Sequence, residues 1–299
     1  MTTGDGDAGG RLFPEDLDGV DPVAAVLLAD ARRALAAYPE PVALGAVFTA
    51  AERVAGGWRI VCPFDPLPQG AREVLADHLE DRAAHGTGAR ARDMAAAART
   101  LRREPVDEVV AGGRRFRIAR IEQLARTGPD GPEPPRPTDL DPLPASGRVP
   151  PARPHELLPG DGPSDRAAAE LLCQVLDGAA AAGHEPSGAF RTPVALAPAF
   201  TVAERGEHRW RPVGRLFGAP QQARDSLATY FRHVVPAVES PAEADVARFA
   251  EAAELMEDET RRNGIAVAGR RFRIVRIERV TLMGPDGPEP PRPTDFDAR

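Results

Sequence analysis

The sequence predicts an α+β fold built by tandem duplication. Each repeat runs helix, β-hairpin, two helices, β-hairpin, with mainly antiparallel sheet. Three observations carry this. The stretch Gly113–Asp141, GRRFRIARIEQLARTGPDGPEPPRPTDLD, returns as Gly269–Asp297 with about 22 of its 29 positions identical. Shorter matches follow the same order upstream: Pro41-Val42-Ala43-Leu44 with Pro193-Val194-Ala195-Leu196, Trp58-Arg59 with Trp210-Arg211, and Pro68-Gln69 with Pro220-Gln221. Between them, helical-period segments alternate with strand-like runs around glycine pairs. The upstream matches share one offset and the long stretch has another, so the second copy carries a net insertion of about four residues in or beside its second long helix.

Residues 1–20 are Gly/Asp-rich and are expected to be disordered. Repeat 1 is assigned to 21–141. Asp21-Pro22 supplies an N-cap and a proline at the first helical position, and the apolar residues from Val23 to Tyr38 recur at helical spacing until Pro39. Val42–Arg53 and Trp58–Pro63 flank Gly56-Gly57 as a hairpin. Leu67–Ala84 and Arg90–Arg103 read as helices, and Val106–Val110 with Arg114–Leu124 as a second hairpin. Residues 142–163 have the proline and glycine density of a linker. Repeat 2 is assigned to 164–299. It opens on a helix from Ser164 to about Ala182, and its last helix is expected to start at a capping box, Ser240-Pro241-Ala242-Glu243, and to stop at Asn263-Gly264.

Composition excludes several classes of function. With 42% hydrophobic and 28% charged residues the chain reads as soluble and globular, and a net charge of -7 argues against general binding to nucleic acid or to anionic lipid. No apolar run approaches the ~18 residues of a membrane span, and the first residues, MTTGDGDAGG, lack the basic and apolar regions of a signal peptide. Cys62 and Cys173 form no Cys-x-x-Cys pair, so reduced thiols and a cytoplasmic location are expected. All 38 basic residues are arginine, which favours bidentate pairing with carboxylates. The histidines show no metal-ligand spacing, and there is no Walker loop, dinucleotide fingerprint or GxSxG elbow. No metal, cofactor or catalytic residue is expected.

The candidate binding residues lie in the repeated strand and at the tryptophans. Phe116 and Ile118 share a face, as do Phe272 and Ile274, but Arg120 and Arg276 then fall where the next apolar residue belongs. Either a bulge resets the register or the strand is buried on both faces, in which case Arg120 with Glu122, and Arg276 with Glu278, can pair. Structural roles are favoured. The sharper alternative brings all four into one cleft between the repeats, where two arginines would favour a small anionic substrate. Trp58 and Trp210 occupy equivalent strand positions and suit either a core anchor or a ligand-stacking face. The segment GPDGPEPPRPTD is a tight turn followed by stiff polyproline, expected to stop the strand and lie as a strap over a neighbouring surface.

At GRRFRIxRIE…GPDGPEPPRPTD the chain resembles a family of uncharacterised proteins from high-GC actinobacteria, known as a domain of unknown function, whose members carry a GPDGPEPPRP-type segment after an arginine-rich strand. The resemblance implies no activity, cofactor or catalytic residue. The expectation is therefore a non-enzymatic binding or interaction module, taking an unknown protein or a small anionic ligand. The alternative is an enzyme of unfamiliar type using the cleft between the repeats.

Overall fold

A computed structural model describes residues 21–141, 156–157 and 189–297, with five positions between 167 and 174. The segment 1–20 and most of the linker 142–163 lie outside the described residues. Of the helix expected over Ser164–Ala182, the five described positions (Ala167, Glu170, Leu171, Cys173 and Gln174) are helical. The chain is α+β, and every strand pair of known register is antiparallel.

The elements follow the expected order. Helix α1 (Pro22–Ala37) starts at Asp21, whose carboxylate accepts from the Ala24 amide at 3.0 Å. Strands β1 (Glu40–Val54) and β2 (Gly57–Ile60) form the first hairpin, turning at Gly56 with φ +86°. Helices α2 (Pro68–Ala84) and α3 (Gly88–Arg103) come next, then the hairpin of β3 (Glu108–Ala111) and β4 (Arg114–Gly128). The two-residue strand β5 (Gly131–Pro132) folds back on β4. Within the expected linker, β6 (Glu156–Leu157) pairs with β2.

The second half continues with the hairpin of β7 (Thr192–Arg205) and β8 (Trp210–Pro212), then helix α4 (Pro220–Thr229). Helix α4 runs directly into a π-helical segment, Tyr230–Glu239. Helix α5 (Glu243–Glu257), the hairpin of β9 (Gly264–Val267) and β10 (Arg270–Gly284), and β11 (Gly287–Pro288) complete the chain.

One expectation is corrected. Ser240 is not an N-cap. It ends the π-helical segment in the left-handed conformation (φ 47°), and α5 starts after Ala242 with no side-chain cap. Nor does α5 reach Asn263, since it ends at Asp258. A serine two residues before a stretch of good helix formers serves two chain ends at once, and here the preceding helix takes it.

Two compact units result, and their boundaries differ from those of the expected repeats. One comprises residues 1–42, 124–152 and 197–278; the other comprises 43–123, 153–196 and 279–299. In the first unit, the end of β4, the body of β10, β7 and β8 are sheet neighbours. The π-helical segment, through Phe231 and Val235, and α5, through Phe249, Ala253 and Met256, cover one face, packed on Phe272 and Ile274 of β10. In the second, the sheet order is β6, β2, β1, β4, followed by the end of β10. There α2 and α3 place Leu75, Leu79, Ala98 and Leu101 over Phe116 and Ile118 of β4.

Strand β4 carries Arg120 within its run of buried residues. Its central residues are buried on both faces: Phe116 and Ile118 toward the helices, Ala119 and Ile121 in a second cluster with Trp58, Ile60 and Leu157. The two-sided burial anticipated for a strand that breaks its alternation is what occurs.

The straps are exchanged. The strap that follows β4 (Gly128–Asp141) belongs to the unit holding the helices of the second half. The strap that follows β10 (Gly284–Asp297) belongs to the unit holding the helices of the first.

Candidate functional site

Beyond Ile118 and Ile274 the helix-facing side of each strand turns polar, and a strap covers it. In the second unit Arg120 is 8% exposed. Its Nε donates to both carboxylate oxygens of Asp295 at 3.1 and 2.9 Å, its Nη1 bonds Glu122, and its backbone amide donates to the Glu289 carbonyl at 2.8 Å. Arg292 lies 3.5 Å from Glu122 and bonds Glu289, which is 2% exposed. In the first unit the arrangement recurs residue for residue. Arg276 donates to both oxygens of Asp139 at 3.0 Å and bonds Glu278, and its amide donates to the Glu133 carbonyl at 2.9 Å. Arg136 bonds Glu133 and Glu278.

Electrostatics agree with the geometry. Burial alone would raise the Glu278 carboxyl, but the charges of Arg276 and Arg136 outweigh it and hold it below the usual carboxylate range. Arg276 is likewise held above its ordinary value, because the surrounding carboxylates outweigh burial. Each arginine thus shares its Nε between both oxygens of one carboxylate and gives an Nη to a second, so its charge is engaged within the chain.

The far end of each strap is anchored as well. Arg72 of α2 is 2% exposed and bonds Asp297 at 2.7 Å and Asp107 at 2.7 Å. Arg224 of α4 is 1% exposed and bonds Asp141 and, at 3.1 Å, the side-chain oxygen of Asn263. Thr138 donates to Asp30 of α1, which fixes that helix in the same unit. Sequence reasoning did not single out Arg72 and Arg224. Their signal was their place in the Pro-Gln-x-Ala-Arg match between the halves.

The tryptophans receive the turn of the strap. Gly287 (φ +127°) lies so close to Trp58 that a Cβ there would overlap the indole nitrogen, and Gly131 (φ +111°) stands in the same relation to Trp210. Trp58 is 1% exposed and flanked by three guanidiniums, with Arg53, Arg115 and Arg117 Cζ at 5.6, 5.5 and 5.2 Å from the ring centroid. Arg115 and Arg117 clamp Asp286 at 2.6 and 2.8 Å and both reach Glu108. Hydrogen bonds from Arg115 and then Arg117 hold the Asp286 carboxyl well below its usual range. Trp210 is only half-buried, and Arg205 and Arg273 stack on it at 5.8 and 5.2 Å.

The predicted residues thus fall into separate sets. Arg120, Glu122 and Trp58 lie in one unit, and Arg276, Glu278 and Trp210 in the other, each set tied to groups of its own unit. A further polar cluster links Arg270 to Glu204, Glu239 and the Tyr230 hydroxyl. Its counterpart joins Arg114 to Glu52 near His78 and Arg82, and burial followed by the Arg82 charge pushes the His78 imidazole below its ordinary value. Among the described residues no group of three His, Cys, Asp or Glu is arranged to hold a metal ion, and no helix is long and apolar enough to cross a membrane.

No curated protein and no solved structure matches the chain. One family model does, over residues 21–298, and its description is a family of unknown function (DUF5954).

Proposed function

The chain belongs to the DUF5954 family, and from that premise we propose that it is a non-enzymatic binding or interaction protein, made of two copies of one α+β unit that have exchanged their straps. One observation carries the reading. The charged groups an acid–base or anion-activating enzyme would need free (Arg120, Glu122, Arg276 and Glu278) are each engaged by carboxylates and arginines of a strap. Retention of the strand-and-strap sequence in both copies then reflects architecture, and the working surface lies outside it. The occupant is an unknown protein or a small anionic ligand. A cytoplasmic setting fits the cysteine usage: Cys62 is a buried thiol, pushed up to about 12 by burial. An actinobacterial source fits the arginine-only basic composition.

Native mass spectrometry of the protein purified from its own cells tests the reading, paired with a screen of general hydrolase, transferase and oxidoreductase substrates. A stoichiometric ligand or partner and no turnover is the expected result. Reproducible turnover that disappears in Arg120→Gln or Arg276→Gln would overturn it.

A further inference from the structure

The two tryptophan platforms are built alike and filled differently. At Trp58 the surrounding guanidiniums are neutralised from within the chain: Glu108 lies opposite Arg117 in the β3–β4 ladder, and Asp286 of the strap turn bridges Arg115 and Arg117. At Trp210 neither carboxylate is in place. The residue opposite Arg273 in the β9–β10 ladder is Gly264, and Asp130, which occupies the place of Asp286 in its turn, is exposed and pairs with none of the arginines. Arg205 and Arg273 stack on the indole, and Arg271 lies two residues from Arg273 on the same strand face. Among the described residues no carboxylate pairs with any of the three. The one polar bond they make is from Arg273 Nη1 to the Pro132 carbonyl, at 2.9 Å. The indole Nε1 donors of Trp58 and Trp210 are alike buried without a partner among the described residues, so the two platforms differ in their carboxylates and not at the indole nitrogen.

Two guanidiniums stacked on one half-buried aromatic ring, with a third arginine on the same strand face, form a cationic surface, and an oxyanion entering between them relieves their repulsion while using their fork geometry. The other unit shows which oxyanion suits the frame, because there the chain fills it with carboxylates. We propose that Arg205, Arg271 and Arg273 beside Trp210 bind a small carboxylate-bearing ligand, held as Asp286 and Glu108 are held at Trp58. This rests on the binding-protein reading and gives it a site and a ligand class. Trp210 supplies an apolar face for the ligand's carbon skeleton. Affinity falls with added salt, since the guanidiniums are exposed or half-buried.

The test follows the two indole N–H resonances of the full-length protein by NMR, assigned with Trp210→Phe, during titration with succinate and with inorganic phosphate at constant ionic strength. Succinate is expected to shift the Trp210 resonance saturably and to leave Trp58 in place. Arg273→Gln should weaken the response at least tenfold. Gly264→Glu restores the carboxylate that Glu108 provides in the other unit and should occlude the site to a similar degree. Its new Cβ meets only ordinary contact with the Phe272 carbonyl at 3.5 Å, so this variant retains the fold. A circular dichroism spectrum and a melting transition matching those of the parent protein certify folding in both variants. Silence of Trp210 toward succinate, an equal response to phosphate, or a response untouched by Gly264→Glu would each overturn the proposal. If a ligand or partner still accompanies the native protein in those cases, only this site assignment falls. Turnover, by contrast, would remove the binding-protein reading itself.

Discussion

Arg276 and Arg120 are about nine-tenths buried, and their partners Asp139 and Asp295 are nearly as deep, with side-chain exposures of 4% and 11%. Removing the cation leaves Asp139 (or Asp295) buried without its counter-charge and leaves Glu278 (or Glu122) to Arg136 (or Arg292) alone. That mechanism costs about 3–5 kcal/mol, whereas exposed pairs such as Arg248–Asp245 are worth at most about 1 kcal/mol. Arg276→Gln is therefore expected to lower the unfolding free energy by several times the loss for Arg248→Gln, read from urea midpoints at unchanged m-value. A similar small loss at both sites would remove the clamp from the account of stability. The strap glycines make a second case. Gly287 combines positive φ with a tryptophan in the space a Cβ would fill, whereas Gly45 has positive φ (+97°) and open space around it. Gly45→Ala should cost about 1 kcal/mol, from backbone strain alone. Gly287→Ala adds displacement of the Trp58 indole and should cost more, with a red-shifted tryptophan emission as the specific sign. Equal costs without that shift would show that the indole yields freely.

At the scale of elements, the turn of the second strap is held by charge at an exposed position, which makes it sensitive to acid. Hydrogen bonds from Arg115 and Arg117 depress the Asp286 carboxyl. Burial would raise Glu108, but the same two arginines outweigh it, so Glu108 is depressed as well. A depressed carboxylate contributes stability that is complete above its unfolded value and is lost as pH falls through the folded one, so the window lies below about pH 4. Asp107 has the opposite sign, because burial raises it more than its bond to Arg72 lowers it, and its ionisation offsets part of the gain. The melting temperature is expected to fall on acidification from pH 4 to pH 2, and less steeply in Asp286→Asn. Parallel profiles would mean that the turn is not held by this carboxylate.

This scale also marks what the sequence could convey. Hairpins around Gly56 and Gly112-Gly113, the helix begun by Asp21-Pro22 and the helix over Leu67–Ala84 were legible, since each is signalled by local turn, capping or periodic residues. The paired Arg-x-Glu positions were legible as ion pairs, but not their strap partners, which lie well over a hundred residues away in sequence. The π-helical segment was not legible either. Where α2 takes 17 residues, α4 and its continuation take 10 and 10, the second ten in the wider turns of a π-helix. That choice depends on Phe231 and Val235 reaching the core against Phe249 and Phe272, which no local pattern encodes.

For the whole molecule, the exchange of straps has a direct consequence for how the chain can be divided. A cut between Ala152 and Arg153 yields two fragments, each with one set of paired helices, one long arginine strand and one strap. In the intact protein, however, each strap serves the unit built on the other fragment's helices. The fragment 1–152 therefore keeps Arg120 and Arg72 but lacks Asp295 and Asp297, and 153–299 keeps Arg276 and Arg224 but lacks Asp139 and Asp141. Each retains buried arginines without the carboxylates that neutralise them, a loss of several kcal/mol per site against a typical domain stability of about 5–15 kcal/mol. Neither fragment is expected to fold as a monomer. Because the straps are nearly identical, two copies of one fragment can exchange them as the halves do within one chain, so a self-associated form is the alternative open to each alone. Mixing the fragments supplies both missing straps, and a folded one-to-one complex should form. Circular dichroism and analytical ultracentrifugation distinguish these states. A cooperative thermal transition from a monomeric 1–152 would show that the strap is dispensable, and that the repeated stretch is retained for something other than neutralising buried arginines.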